Sequence, residues 1–258
     1  MKFARLNILK STLAVTMVFA GTEAYAQGRA GAPLGPPPTA KAAAPIDITG
    51  YWVSLVTEDW RYRMAVPPKG DYSGVPLNPA GRKAADAWDP ASDEAAGEQC
   101  RAYGAAGIMR MPTRLHITWQ DDETLKVETD AGTQTRIFHF KLAENPGGDW
   151  QGVSQASWDR QPSPMGFGRG GPTPGGALKV VTTKMKPGYL RRNGVPYSGN
   201  AVLTEYWDRL GAPGGETLLV VASEVVDPSN LATPFWTSTH FRKLDDGSGW
   251  KPTPCSAK

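Results

Sequence analysis

Three histidines, His116, His139 and His240, fall in stretches where apolar and polar residues alternate. Three imidazoles converging from neighbouring strands could hold zinc, copper or iron with one position open. Against this, Leu115, Ile117 and Trp119 make the apolar face of their stretch, which turns His116 outward. No His-x-His pair and no carboxylate at ligand spacing accompany the three. Ordinary surface or core histidines are therefore expected, and no metal or other cofactor is assigned. Glu205 alternates with Leu203 and Trp207, and Glu224 with Leu218, Val220 and Ala222. A carboxylate held among apolar groups has a raised pKa and can exchange a proton near neutral pH. Glu205 and His240 would then form an acid/base pair for isomerisation, lyase or hydrolytic chemistry. The competing expectation is that each carboxylate sits at a strand end, paired with Arg136, Arg209 or Arg242. There is no Gly-x-Ser-x-Gly, and GFGRGG near residue 166 lacks the Lys-Ser/Thr ending of a phosphate loop, so a hairpin loop is expected there. KMKPGYLRRNG gathers Lys184, Lys186, Arg191 and Arg192 around Tyr189, which reads as a local anion-attracting rim loop.

The chain has nine tryptophans. Trp52, Trp119 and Trp150 are expected to fill the core. Trp60, Tyr62, Trp158, Trp207 and Trp236 lie in stretches that also carry polar residues and are candidates for lining a cavity, with Arg136, Glu205 and His240 as polar anchors.

These residues need strands to position them. Of 258 residues, 29 are Gly and 23 are Pro, high for a helical bundle and natural for short strands joined by turns. Period-two patterning runs through RLHITW, TLKVETD, TQTRIFHF, WQGVSQASWD, ALKVVTTKM, AVLTEYWDRL, ETLLVVASEVV and TPFWTSTHFRKL. An opening strand near Ile48, extending through the alternation of Glu58, Trp60, Tyr62 and Met64, brings the total to about nine. Short links favour an all-β antiparallel meander, which escapes exposed edges by closing into a barrel. Residues 78 to 103 interrupt it. Asn78-Pro79 and Asp89-Pro90 each place a side-chain acceptor before a proline, which predicts two short helices, the second ending at Gly104.

The first 26 residues have a basic start at Lys2 and Arg5, an apolar run near Thr12 to Ala20 and small residues at Ala24-Tyr25-Ala26, the layout of a secretory signal. No later stretch is long and apolar enough for a spanning helix. Residues 27 to 45 are read as a disordered Pro/Ala/Gly tether and residues 46 to 258 as one barrel domain. Losing Lys2, Arg5, Lys10 and Glu23 takes the net charge from +3 to +1, so nucleic acid is not an expected partner. In an oxidising compartment the only cysteines, Cys100 and Cys255, are expected to pair.

At Gly50-Tyr51-Trp52 the chain resembles the Gly-x-Trp opening of the lipocalin and wider calycin barrels. The resemblance implies a barrel closed by an arginine on the last strand stacked over Trp52, and Arg242 in THFRKL is the matching residue. It also implies that His240, on the same strand face, looks inward. The runs DEAAGEQCRAYGAA, TDAGTQTR and LKVVTTKM to VLTEYWDR resemble a family of secreted bacterial proteins without assigned activity. The expectation is a periplasmic or secreted up-and-down barrel of about eight to nine strands that takes up a small apolar or aromatic molecule. The alternatives are a periplasmic enzyme using Glu205 and His240 or histidine-bound metal in the same cavity, and an envelope interaction protein whose barrel is filled.

Overall fold

Apolar side chains at every second position commit each strand to one buried face, and the hydrogen bonds left at the edges of such a sheet favour closure. The computed structural model describes residues 37–141, 147–160 and 176–257. The residues read as a signal, most of those read as a tether and the GFGRGG segment lie outside them. In chain order the strands are β1 (Gly50–Leu55), β2 (Arg114–Asp121), β3 (Thr124–Thr129), β4 (Gln134–His139), β5 (Val153–Arg160) and β6 (Gly176–Thr183). A short hairpin, β7 (Gly188–Arg191) and β8 (Val195–Tyr197), precedes β9 (Val202–Gly211), β10 (Thr217–Val226) and β11 (Phe235–Leu244).

Nine of these strands close a ring in the order β1, β11, β10, β9, β6, β5, β4, β3, β2. A ring with an odd number of strands cannot alternate direction at every seam, so at least one seam must be parallel. It is β4 with β5, where Phe138 faces Ser154 and His139 faces Gln155. The other seams follow the expected antiparallel pattern.

The strand directions gather the long connections at one end. There β1 leads into four short helices before β2: α1 (Trp60–Arg63), α2 (Pro79–Asp86), α3 (Pro90–Ala95) and α4 (Ala105–Ile108). The β7–β8 hairpin between β6 and β9 joins them, forming a cap. Asn78 and Asp89 cap α2 and α3 as their proline neighbours predict, accepting from the Gly81 and Ala91 amides. The second helix ends well before Gly104, just ahead of Gly97, whose positive φ of 70° suits glycine. The alternation from Glu58 to Met64 is not strand. β1 stops at Leu55, Asp59 takes a left-handed φ of 51°, and one helical turn buries Arg63.

Residues 38–48 meet the opposite end of the barrel. The Trp158 indole donates to the Ala40 carbonyl (2.7 Å), the Ala40 amide to Glu123, and the Lys41 amide to Asp122. Residues 38–45, expected to belong to the tether, are thus held on the barrel by backbone hydrogen bonds that their bland side chains do not announce. Inside, Trp52, Leu115, Ile117, Leu125, Phe138, Leu178, Trp207, Leu219 and Phe241 are closed to solvent.

The last segment runs from the end of β11 back to the cap. Trp250 meets Tyr51 edge-on, Thr253 donates its amide to the Asp130 carbonyl, and Cys255 bonds to Cys100 across a separation of 155 residues. Closing so long a loop removes much freedom from the unfolded chain. Replacing both cysteines with alanine is expected to lower unfolding free energy by about 2–5 kcal/mol, measured by urea denaturation with and without reductant. Equal stability of the two proteins would show that the clasp contributes nothing.

Candidate functional site

The structure divides the sequence candidates among four places. Arg136 and Glu205 meet inside the barrel, from β4 and β9. Nη1 and Nη2 of Arg136 donate to the two carboxylate oxygens of Glu205 at 3.0 and 2.6 Å, and their side chains are 0% and 1% exposed. Thr182 accepts from Arg136 and shares a hydrogen bond with Ser154. The guanidinium lies 4.9 Å from the Phe138 ring, which packs edge-on against Trp207. This is the expected ion pairing of Glu205 with Arg136, among the buried side chains of the lumen.

His240 does not join that pair. On β11 the buried residues are Phe235, Thr239 and Phe241, so His240, Ser238 and Trp236 stand on the outer face. The His240 ring meets Glu58 at 3.1 Å on the outside of the wall. Glu205 and His240 are therefore on opposite sides of the sheet and do not form the acid/base pair. The same parity corrects the seam. Trp52 is opposite Lys243, whose ammonium lies 4.6 Å from the indole centre and donates to the Thr49 carbonyl. Arg242 faces solvent beside Glu216. A cation does sit over Trp52, but it is the residue after the one expected. Glu224 likewise belongs to the outer face of β10, whose inner residues are Leu219, Val221, Ser223 and Val225.

The six aromatic and polar residues proposed to line one cavity do not converge. Trp207 and Arg136 lie in the lumen. Trp158 packs with Trp119 and Phe140 at the far end. Trp60 and Trp236 are 66% and 58% exposed, and Tyr62 stacks under Arg191 outside the wall. His116 faces out as its neighbours require, stacked on Tyr51 and bonded to Glu128. His139 stands on the outer face of β4. Among the described residues no three His, Cys, Asp or Glu side chains are grouped to hold a metal ion.

What the sequence reading missed is a cleft of about 530 Å³ in the cap, between α2, α3 and the β7–β8 hairpin. Trp88, Tyr189 and Tyr197 supply its aromatic surface, and Asp93 and Arg101 its charge. Asp93 accepts from Arg101 (2.7 Å) and from the Tyr189 hydroxyl (2.8 Å), while Arg101 lies 4.8 Å from the Tyr189 ring centre. Burial and the bond to Asp93 push the Tyr189 phenol well above the ordinary tyrosine range, so it stays a neutral donor. Trp88 rests on Gly194, where a Cβ would come within 2.2 Å of the indole and φ is +81°. Trp88 Nε1 and the Tyr197 hydroxyl are buried without a hydrogen-bond partner. The signal that could have located the hairpin is Asn193-Gly194, a strong two-residue turn motif inside the basic loop.

Comparison with family models, with curated proteins and with solved structures finds no match to this chain. No helix among the described residues is long and apolar enough to cross a membrane.

The Arg136–Glu205 pair yields a test of its structural role. Glu205→Gln strands a buried guanidinium and is expected to cost about 3–5 kcal/mol, whereas Arg136→Met with Glu205→Leu removes both charges and should recover most of that loss. Urea unfolding of the two variants distinguishes these outcomes, and a near-neutral Glu205→Gln would overturn the assignment.

Proposed function

We propose that this chain is a binding protein that takes a small, flat aromatic molecule in the cap cleft, with the barrel as its rigid support. The observation that carries this reading is the cleft itself. Its volume of about 530 Å³ falls in the range of small-molecule sites, and its walls combine aromatic faces with a few fixed polar groups. Trp88 Nε1 is a buried donor without a partner, suited to an acceptor atom on the ligand. The lumen, expected from the calycin resemblance to be the site, is occupied by Trp52, Phe138, Trp207 and Phe241 and by the Arg136–Glu205 pair. An acid/base role for Glu205 and His240 loses its geometric support with their separation. In this reading the protein works outside the cytoplasm, in the periplasm or beyond. Support comes from the N-terminal signal pattern and from the Cys100–Cys255 bond, which an oxidising compartment preserves.

Titration with the neutral aromatic probe N-phenyl-1-naphthylamine tests the site. Saturable quenching of tryptophan fluorescence is expected, weakened by about tenfold or more in Trp88→Ala and retained in Trp207→Phe. The opposite pattern, with Trp207→Phe sensitive and Trp88→Ala not, would return the ligand to the lumen and overturn the proposal.

A further inference from the structure

Four guanidinium groups line a second, smaller cavity of about 20 Å³, which shares β7 with the cleft but none of its lining residues. Arg63 comes from α1, Arg110 from the segment before β2, and Arg191 and Arg192 from the end of β7 and its turn. Their arrangement is held by backbone and ring contacts. Arg63 Nε donates to the Arg110 carbonyl (2.9 Å), Arg110 Nη1 to the Ser238 carbonyl (2.7 Å), Arg191 Nη1 to the Ser73 carbonyl (2.7 Å) and Arg192 Nη2 to the Arg63 carbonyl (3.4 Å). Arg191 also lies 4.4 Å from the centre of the Tyr62 ring.

The charges in this cluster do not balance. Glu58 pairs with Arg63 and lies 3.7 Å from Arg110, and Asp59 pairs with Arg110. Asp71, in the segment after α1, is paired with Arg61 and acts on Arg191 only from beyond ion-pair distance. Among the described residues Arg191 and Arg192 have no carboxylate within ion-pair distance, so two positive charges remain in excess. Arg63 is 1% exposed, and its Nη2 is buried with no hydrogen-bond partner. A buried guanidinium donor left unpaired is costly, and it is the kind of group that an incoming anion satisfies. Burial, with the charge of Arg110 added, lowers the Arg63 guanidinium to about 10, and burial also lowers that of Arg191. An added negative charge would reverse both shifts.

We propose that this cavity is an anion site for a phosphate-type oxyanion, held by Arg63 Nη2 and by the guanidiniums of Arg191 and Arg192. Guanidinium forks match the oxygen spacing of phosphate, and groups converging from three chain segments suit oxygens that point in three dimensions. At about 20 Å³ the cavity has room for the oxygens of an oxyanion to reach the guanidiniums and none for an organic body. The ligand is thus inorganic phosphate or the phosphate end of a monoester whose remainder stays outside.

Calorimetric titration of the full chain at fixed ionic strength provides the test, with inorganic phosphate, phenyl phosphate and acetate as probes. Saturable binding of phosphate is expected, with acetate about tenfold weaker or more. Arg191→Gln and Arg192→Gln should each weaken phosphate by about tenfold, and Arg209→Gln, an exposed site on β9, should leave it unchanged. These two cap variants remain informative even if the buried Arg63→Gln fails to fold. Tighter binding of phenyl phosphate than of inorganic phosphate identifies a monoester as the source, and the reverse identifies the free ion. No phosphate binding up to about 10 mM, equal binding in Arg191→Gln and Arg192→Gln, or acetate as tight as phosphate would each overturn the proposal. Trp88→Ala should leave phosphate binding intact, which separates this site from the aromatic cleft.

Discussion

The seam between the first and last strands sets Trp52 opposite Lys243, and that register decides which side of β11 looks inward. In a strand the side-chain period is two, so a slip of one residue would exchange every inner group for an outer one. With the register found, Thr239 and Phe241 complete the core and Lys243 covers the indole of Trp52. His240 is then obliged to stand outside, where it meets Glu58. Glu58 in turn holds Arg63, and Arg63 carries the carbonyl to which Arg192 donates. The charge cluster at the cap thus inherits its place from a packing decision at the opposite end of the barrel.

On the function proposed above, the large buried side chains of the lumen give this barrel a different use from a ligand cup. Inside, Arg136 and Glu205 bond to each other and Arg136 to Thr182, which links β4 to β9 across the core and leaves Arg136 Nε without a partner. Such a pair adds little net stability compared with apolar residues of the same volume, but it penalises any alternative packing that would leave one charge alone. A rigid wall of this kind suits a scaffold. Among the described residues the connections from β1 to β2 and from β6 to β9 both emerge at the capped end, and the clefts form between them.

The strands were legible because β-rich runs bounded by turn residues mark the eight stretches after Pro112, and the helix starts were legible because Asn78-Pro79 and Asp89-Pro90 have a local mechanism. Inner and outer faces were less so. ETLLVVASEVV carries apolar residues at both parities, and in TPFWTSTHFRKL aromatic residues occur on both, so periodicity alone leaves the choice open. Glu58 to Met64 shows the converse error. Its alternation arises from a single helical turn with an exposed tryptophan and a buried arginine, a pattern too short to reveal its true period. The disulfide was accessible by counting, since the chain has only two cysteines and each has one possible partner.

The cleft and the arginine cavity could not have been read in this way, because neither belongs to one segment. Trp88 and Gly194 are more than a hundred residues apart in sequence, and Arg63 and Arg192 are farther still. What joins them is the β7–β8 hairpin, whose Asn193-Gly194 turn works at two levels. Gly194 supplies the left-handed φ that the turn needs, and its missing Cβ admits the Trp88 ring. Asn193 donates to the carbonyls of Pro68 and Asp71 and so anchors the turn to the segment that follows α1. The cap is therefore assembled around one tight turn, and the two proposed sites sit on either portion of the strand leading into it: Tyr189 faces the aromatic cleft, while Arg191 and Arg192 face the anion cavity.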